Sequence, residues 1–222
     1  MIIAGATILG LNKKGQEVPL PNSIVKSNTN ICILDGEIIS DKLFVFDMLS
    51  ANGNSMKDLP YSTRLKFLNT LTFGKGIEIV KTAYTKKEKQ KLYDELKKRN
   101  AEGIVFKKKD SLYQHGRPAS GGDHLKHKFY KTATFIVRDA TNGKRSVGLE
   151  LVSNEDNSRV FMGKVTIPPN HDVPNKGELV EVRYLYAYKG GAVFQPTYLG
   201  KRNDSDLTDA TMKQIVYKEG QE

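Results

Sequence analysis

Between residues 132 and 201 five short runs alternate apolar with polar side chains, at 132–137, 146–152, 159–167, 179–188 and 194–201, with turn-forming residues between them. A period of two puts the apolar side chains of a strand on one face. Five such strands in so short a segment can bury that face by curling round one another, which suggests a small antiparallel barrel. Periodicity leaves an OB-type barrel, an SH3-like barrel and half a sandwich equally open.

The first 131 residues have a different texture. Short strands are expected at 2–11, 30–34 and 42–49, separated by a Lys13-Lys14-Gly15 turn and a Pro19-Leu20-Pro21 break. Leu65, Leu68 and Leu71 stand at helical spacing in 61–71, and 85–100 opens on a capping Thr85 and closes at Asn100 after a basic last turn. Both helices are expected to pack on the sheet. Strands at 101–109 and 124–131 flank a polar, Gly-rich loop at 110–123. The chain therefore reads as two domains, 1–131 and 132–222, with a polar strand or short helix after Asn203.

With 38% hydrophobic and 27% charged residues, the composition is that of an ordinary globular protein. No apolar run approaches the ~20 residues that span a bilayer. Residues 1–6 are apolar but carry neither the basic start nor the long apolar stretch of a signal peptide. Cys32 is the single cysteine, which excludes an internal disulfide and fits a reducing compartment, here expected to be the cytoplasm. The net charge of +10 is uneven: residues 1–131 hold 23 Lys/Arg against 13 Asp/Glu, residues 132–222 hold 12 against 12. A solvated lysine face and a phosphate-backbone footprint both account for such an excess.

Three charged strings stand in order: Leu34-Asp35-Gly36-Glu37, Glu102-Gly103-Ile104-Val105-Phe106-Lys107 and Leu125-Lys126-His127-Lys128. Carboxylates and ammonium groups at the ends of apolar strands can together hold a divalent metal and a polyphosphate in one cleft. Asp35-Gly36-Glu37 is a common turn tripeptide and is expected to form the corner between the strands at 30–34 and 42–49; the apolar run before it puts Glu37 at a strand end, with Gly36 allowing close backbone approach. A Glu-Gly pair opening an apolar strand is unfavourable unless the carboxylate finds a partner, either a metal or a lysine. Lys126 and Lys128, two apart in a strand, project from one face and repel unless an anion lies between them. His124 and His127 fall on opposite faces and are read as solvated or phosphate-contacting, not as metal ligands. Arg183, Tyr184, Tyr186 and Tyr188 interleave charge with aromatics, so alternation makes some of these tyrosines core.

In order and spacing these strings resemble the ATP-dependent polynucleotide ligases, most closely the small DNA ligases of bacteria and phages. The resemblance implies an α+β nucleotidyltransferase domain, the ligase adenylation domain with an ATP-grasp-like plan, present in part and followed by an all-β OB-fold barrel. It implies ATP and Mg²⁺ as cofactors, nicked duplex DNA as partner, and a monomer that seals nicks by adenylyl transfer and phosphodiester formation. It assigns Glu37 to the nucleotide and metal, Phe46 to the adenine face and Glu102 to metal or substrate phosphate. Lys107 is assigned to the phosphate side of the nucleotide, and Lys126 and Lys128 to the α-phosphate. Lys13 takes the place near the ribose where the family has an arginine, whose bidentate contact a lysine cannot reproduce. The family's Lys-x-Asp-Gly string, whose lysine is adenylylated, falls ahead of Met1, so this chain alone is expected to form no covalent AMP adduct. The loop at 113–122, with Arg117, is a candidate nucleic-acid contact, and Lys201-Arg202-Asn203-Asp204 is a faint echo of the string that orients pyrophosphate. RNA ligases and capping guanylyltransferases share the three strings. From a different class, a nick- or single-strand-binding module with the fold but not the chemistry would also carry them.

Overall fold

The computed structural model describes all residues except 1, 5–6, 13, 25–30, 117–120, 141–142, 219 and 221–222. By packing, the chain divides into two units, one of residues 1–84 and 105–126 and one of residues 85–104 and 127–222. That division differs from a single cut after residue 131, because the second helix and the start of the following strand associate with the C-terminal part.

The first unit is built on one sheet. Strands β1 (Ile2–Ala4), β2 (Thr7–Leu11), β3 (Glu17–Val18), β4 (Cys32–Ile39), β5 (Lys42–Ala51) and β6 (Asn54–Ser55) lie in the order β3-β2-β1-β4-β5-β6, and β7 (Ile77–Ile79) pairs parallel with β5. Helix α1 (Tyr61–Leu68) packs on β5, burying Tyr61, Arg64, Leu65 and Leu68, and ends at Asn69 instead of running to residue 71. Cys32, Leu34, Leu43, Val45, Met48, Leu65, Leu68 and Ile77 form the core. Apolar side chains alternate over the first half of β4 and most of β5, as a sheet with one buried face requires.

One expectation is corrected here. Asp35-Gly36-Glu37 is not a corner between strands: β4 runs through it, and the chain reverses at Ser40 and Asp41, where Ser40 has φ +57°. The pairing of β4 with β5 shifts register between Asp35 and Gly36, so a bulge in the ladder absorbs the tripeptide. Gly36 is required there, because a Cβ would meet the Phe44 carbonyl oxygen at 2.6 Å and Leu43 Cδ1 at 3.1 Å.

The second unit contains helix α2 (Lys86–Lys98). Thr85 accepts from the Glu88 N–H and Glu88 returns a bond to the Thr85 N–H, a complete capping box. Between α2 and the C-terminal sheet, β8 (Gly103–Lys107) and β9 (His124–Lys128) form a two-stranded ribbon, and the division between the units falls within it. Gly103 has no substitute: a Cβ would overlap the His127 carbonyl oxygen and lie 2.8 Å from Lys128 Cα.

The five alternating runs form one antiparallel sheet from β10 (Lys131–Ala140), β11 (Ser146–Val152), β12 (Arg159–Thr166), β13 (Leu179–Tyr184) and β16 (Thr197–Lys201), in the order β12-β11-β10-β13-β16. The short pair β14 (Tyr186–Ala187) and β15 (Val193–Phe194) lies between the last two. Bulges in three of the ladders bend the sheet round a core of Phe135, Val147, Leu149, Leu151, Met162, Val180, Val182 and Tyr184. The outer strands β12 and β16 approach each other, but no ladder joins them among the described residues, so the hydrogen-bonded sheet stays open. After β16 the tail forms a 3₁₀ turn at Met212–Gln214 and bridges at Thr211 and Tyr217. No helix among the described residues is long and apolar enough to cross a membrane.

Candidate functional site

In the first unit the chemistry gathers where β5, α1 and the end of β8 meet. β5 carries the half-buried Phe46 and the buried Asp47 on successive residues, so the two side chains leave opposite faces of the strand. Lys107, the last residue of β8, brings its Nζ over the Phe46 ring at 4.4 Å and the Tyr61 ring at 4.5 Å. It donates a long hydrogen bond, 3.5 Å, to the Phe46 carbonyl oxygen. Burial pulls the Lys107 ammonium below the usual lysine range, against the pull of Asp47 and Asp35. Burial likewise pushes the Asp35 carboxyl above its usual range, while Lys107 opposes the rise. Burial and the Lys107 charge together lower the His124 imidazole. This unit thus holds a cation on two aromatic faces that is short of acceptors, with carboxylates near enough to feel it.

Behind that cation sits an ion pair absent from the expected set. Arg64 grips Asp47 with two bonds of 2.8 Å, Nε to Oδ1 and Nη2 to Oδ2, and its Nη1 donates to the carbonyls of Leu59 at 2.5 Å and Ser111 at 3.2 Å. Both side chains are essentially excluded from solvent. The pair ties β5 to α1 and to the chain after β8, while the Tyr61 hydroxyl donates to the Phe46 carbonyl at 3.1 Å. A signal for it existed: Arg64 lies four residues before Leu68 and beside Leu65, on the helix face that must be buried, and Asp47 interrupts an apolar strand.

Glu37, exposed on β4, lines a cavity of about 230 Å³ with Gly10, Leu11, Val18, Leu20 and Gly36. Lys126 is exposed and makes no ion pair among the described residues. Lys13 lies outside the described residues. No cluster of three or more His, Cys, Asp or Glu side chains suited to a metal occurs among the described residues.

In the second unit Glu102 and Lys128 find each other. Lys128 Nζ lies 2.7 Å from Glu102 Oε1 and 3.2 Å from Gln195 Oε1, with side-chain exposures of 26% for the lysine and 54% for the glutamate. Of the two partners expected for the Glu-Gly opening, this structure supplies the lysine. Of the interleaved barrel residues, Tyr184 and Tyr186 are core, Tyr188 is exposed, and Arg183 lies 4.7 Å over the exposed Tyr130 ring.

Residues 39–128 match the family model described as ATP dependent DNA ligase domain. Over that segment, about two-fifths of the chain, the sequence is similar to the ATP-dependent DNA ligases. The matched segment holds Phe46, Glu102, Lys107, Lys126 and Lys128, and begins two residues after Glu37. A structure from a structure-function analysis of Lig E DNA ligases superposes with a TM-score of 0.54 at 19% identity, covering 73% of this chain and 64% of that one. One described as Pmar-Lig_PreS3 gives 0.56 at 18% identity, covering 78% and 51%. The chain thus spans between half and two-thirds of the length of those two chains, and the likeness at such identity is one of fold. The ligase domain of M. tuberculosis LigD covers 82% and 76% at 19% identity, with a TM-score of 0.42 that is too loose to bear on the fold. A search of curated protein sequences finds no match.

Proposed function

We propose that this chain is the catalytic core of an ATP-dependent DNA ligase that seals nicks in duplex DNA, a nucleotidyltransferase domain at 1–131 followed by an OB-fold at 132–222. The observation that carries the reading is Lys107 Nζ on the faces of Phe46 and Tyr61, inside the ligase-matched segment. A partly buried ammonium whose one acceptor among the described residues is a distant carbonyl is suited to an anion, and an aromatic ring beside it is suited to a base. ATP offers both. In this reading Phe46 is the platform for the adenine and Lys107 serves the phosphate side of the nucleotide. When bound, ATP would supply AMP, with loss of pyrophosphate, to a lysine nucleophile, from which the 5′-phosphate at the nick would take it.

Lys126 and Lys128 act as fixed positive charges for the phosphoryl steps, a role worth several kcal/mol where water is excluded. Glu37 and Glu102 are each, taken separately, a carboxylate of the kind that Mg²⁺ takes, since the ion is commonly held by one or two carboxylates together with substrate phosphates and water. The OB-fold assignment is supported by the strand order, in which the first strand is central and the third and fifth lie outermost and near each other. The second reading, a nick-binding module without chemistry, is favoured by the closed Glu102–Lys128 pair, since each carboxylate or ammonium so engaged is withheld from metal or phosphate. An exposed pair of this kind is worth only ~0.2–1 kcal/mol, so opening it costs little against an incoming phosphate.

The test uses a nick supplied already adenylylated, which isolates the sealing step. Lys126→Ala or Lys128→Ala is expected to slow closure roughly 10²-fold with circular dichroism unchanged. Unchanged closure in both variants would remove these lysines from the site. Binding of the nick without any closure by folded protein would establish the second reading.

A further inference from the structure

Helix α2 carries six lysines in thirteen residues, and their placement is not that of a helix optimised for its own stability. Lys86 and Lys87 occupy the first two helical positions, where the helix dipole disfavours positive charge, and the one acidic residue of that turn, Glu88, is engaged in the capping box. At 100° per residue, Lys87, Lys91 and Lys98 fall within an arc of about 40° and span about 16 Å along the axis. None of the three makes an ion pair among the described residues. Asp94 lies in the same stripe, but its carboxylate accepts from Gln90 at 3.0 and 3.2 Å and not from Lys98. The helix is anchored from another side: Tyr93 meets Phe129 edge-on at 5.1 Å and His127 at 5.8 Å.

We infer that the Lys87–Lys91–Lys98 stripe of α2 is a docking surface for the sugar-phosphate backbone of duplex DNA. A row of unpaired ammonium groups along a rigid rod matches a row of phosphates, and an anion beside Lys86 and Lys87 removes the conflict with the dipole. A membrane surface is the poorer fit. A basic interfacial helix inserts an apolar face, and here the half-buried Leu92, Tyr93 and Leu96 include the very residue packed on His127 and Phe129. The inference rests on the ligase reading for its choice of duplex DNA, and its test is independent of sealing.

The experiment measures the affinity of the full chain for a nicked duplex from 50 to 300 mM salt, with Lys87, Lys91 and Lys98 replaced together by Gln. Gln has nearly the helix propensity of Lys, so α2 is expected to survive. Each lost phosphate contact removes ~0.9 from the slope of log K against log salt, so the triple variant should lose between 2 and 3 from the slope, roughly 10²-fold in affinity at 0.1 M salt. A triple Lys→Arg variant should keep the wild-type slope, which separates charge from folding defects. A control with Lys164, Lys176 and Lys189 replaced by Gln, all exposed in the C-terminal part of the second unit, should lose less than 1. A wild-type slope near zero overturns the inference, as does an equal loss in the control. Equal loss of binding to vesicles containing one-third phosphatidylserine would show a general polyanion surface and overturn the choice of DNA. If sealing fails while the slope behaves as expected, the ligase reading falls and the docking surface stands.

Discussion

Replacing Arg64 with Met should be among the most damaging single changes in the first unit. The substitution keeps much of the side-chain bulk but removes the guanidinium, leaving the Asp47 carboxylate buried with the Met48 N–H at 2.9 Å as its remaining donor among the described residues. The Leu59 carbonyl loses its Arg64 donor, whereas the Ser111 carbonyl keeps a bond from the Tyr61 N–H at 2.8 Å. Breaking a buried pair from one side costs ~3–5 kcal/mol, mostly the penalty of the charge left behind. With a urea m-value of about 2 kcal/mol/M for a unit of this size, a loss of about 4 kcal/mol lowers the midpoint by about 2 M. The assay is urea unfolding followed by near-ultraviolet circular dichroism of the tyrosines. The companion variant Arg64→Met with Asp47→Leu removes both charges, and apolar replacement of a whole buried pair is often neutral or stabilising, so it should recover at least half of the loss. A single-variant loss below about 1 kcal/mol, or a double variant that loses the sum of the two single changes, would refute the argument that this pair is held by mutual charge in a dry site.

Two further outcomes follow from individual contacts. Because burial holds Lys107 below the ordinary lysine range, an ATP phosphate beside it should raise it again; between those two values binding takes up a proton, and as pH falls below the lower one the uptake vanishes. Calorimetry of ATP binding at alkaline pH in two buffers of different ionisation heat should register that uptake, and Lys107→Met should abolish it; equal uptake in the variant would assign the proton elsewhere. Gln214 accepts the N–H of the buried Thr134 at 2.9 Å and donates back to its carbonyl at 3.3 Å, fastening the tail to β10, so Gln214→Ala should cost ~1–3 kcal/mol of the second unit's stability. A loss below about 0.5 kcal/mol on denaturant unfolding would mean that the tail is held by its apolar contacts alone.

What the sequence alone determined is what depends on near neighbours. The capping box at Thr85 and Glu88, the five alternating runs, the need for glycine at position 36 and for a partner to Glu102 are all legible, because each follows from residues one to four apart or from the chemistry of a single side chain. Where a short-range signal has two outcomes, it misled: Asp-Gly-Glu reads as a corner, but the ladder between β4 and β5 is long enough to carry the tripeptide as a bulge, and the reversal moved to Ser40 and Asp41. Strand β7, three residues long, has too little pattern to stand out and exists because β5 offers it a parallel edge.

The contacts that define the candidate site belong to tertiary structure. Phe46 and Lys107 are 61 residues apart, Asp47 and Arg64 are 17, and Glu102 and Lys128 are 26. No periodicity connects such positions; the sequence says only that each charge needs a partner. Which partner it meets is settled when the apolar faces of β5, α1 and the C-terminal sheet are buried, since that burial dominates the free energy and brings the polar groups along. The site's charges are thus placed by a core to which they do not belong.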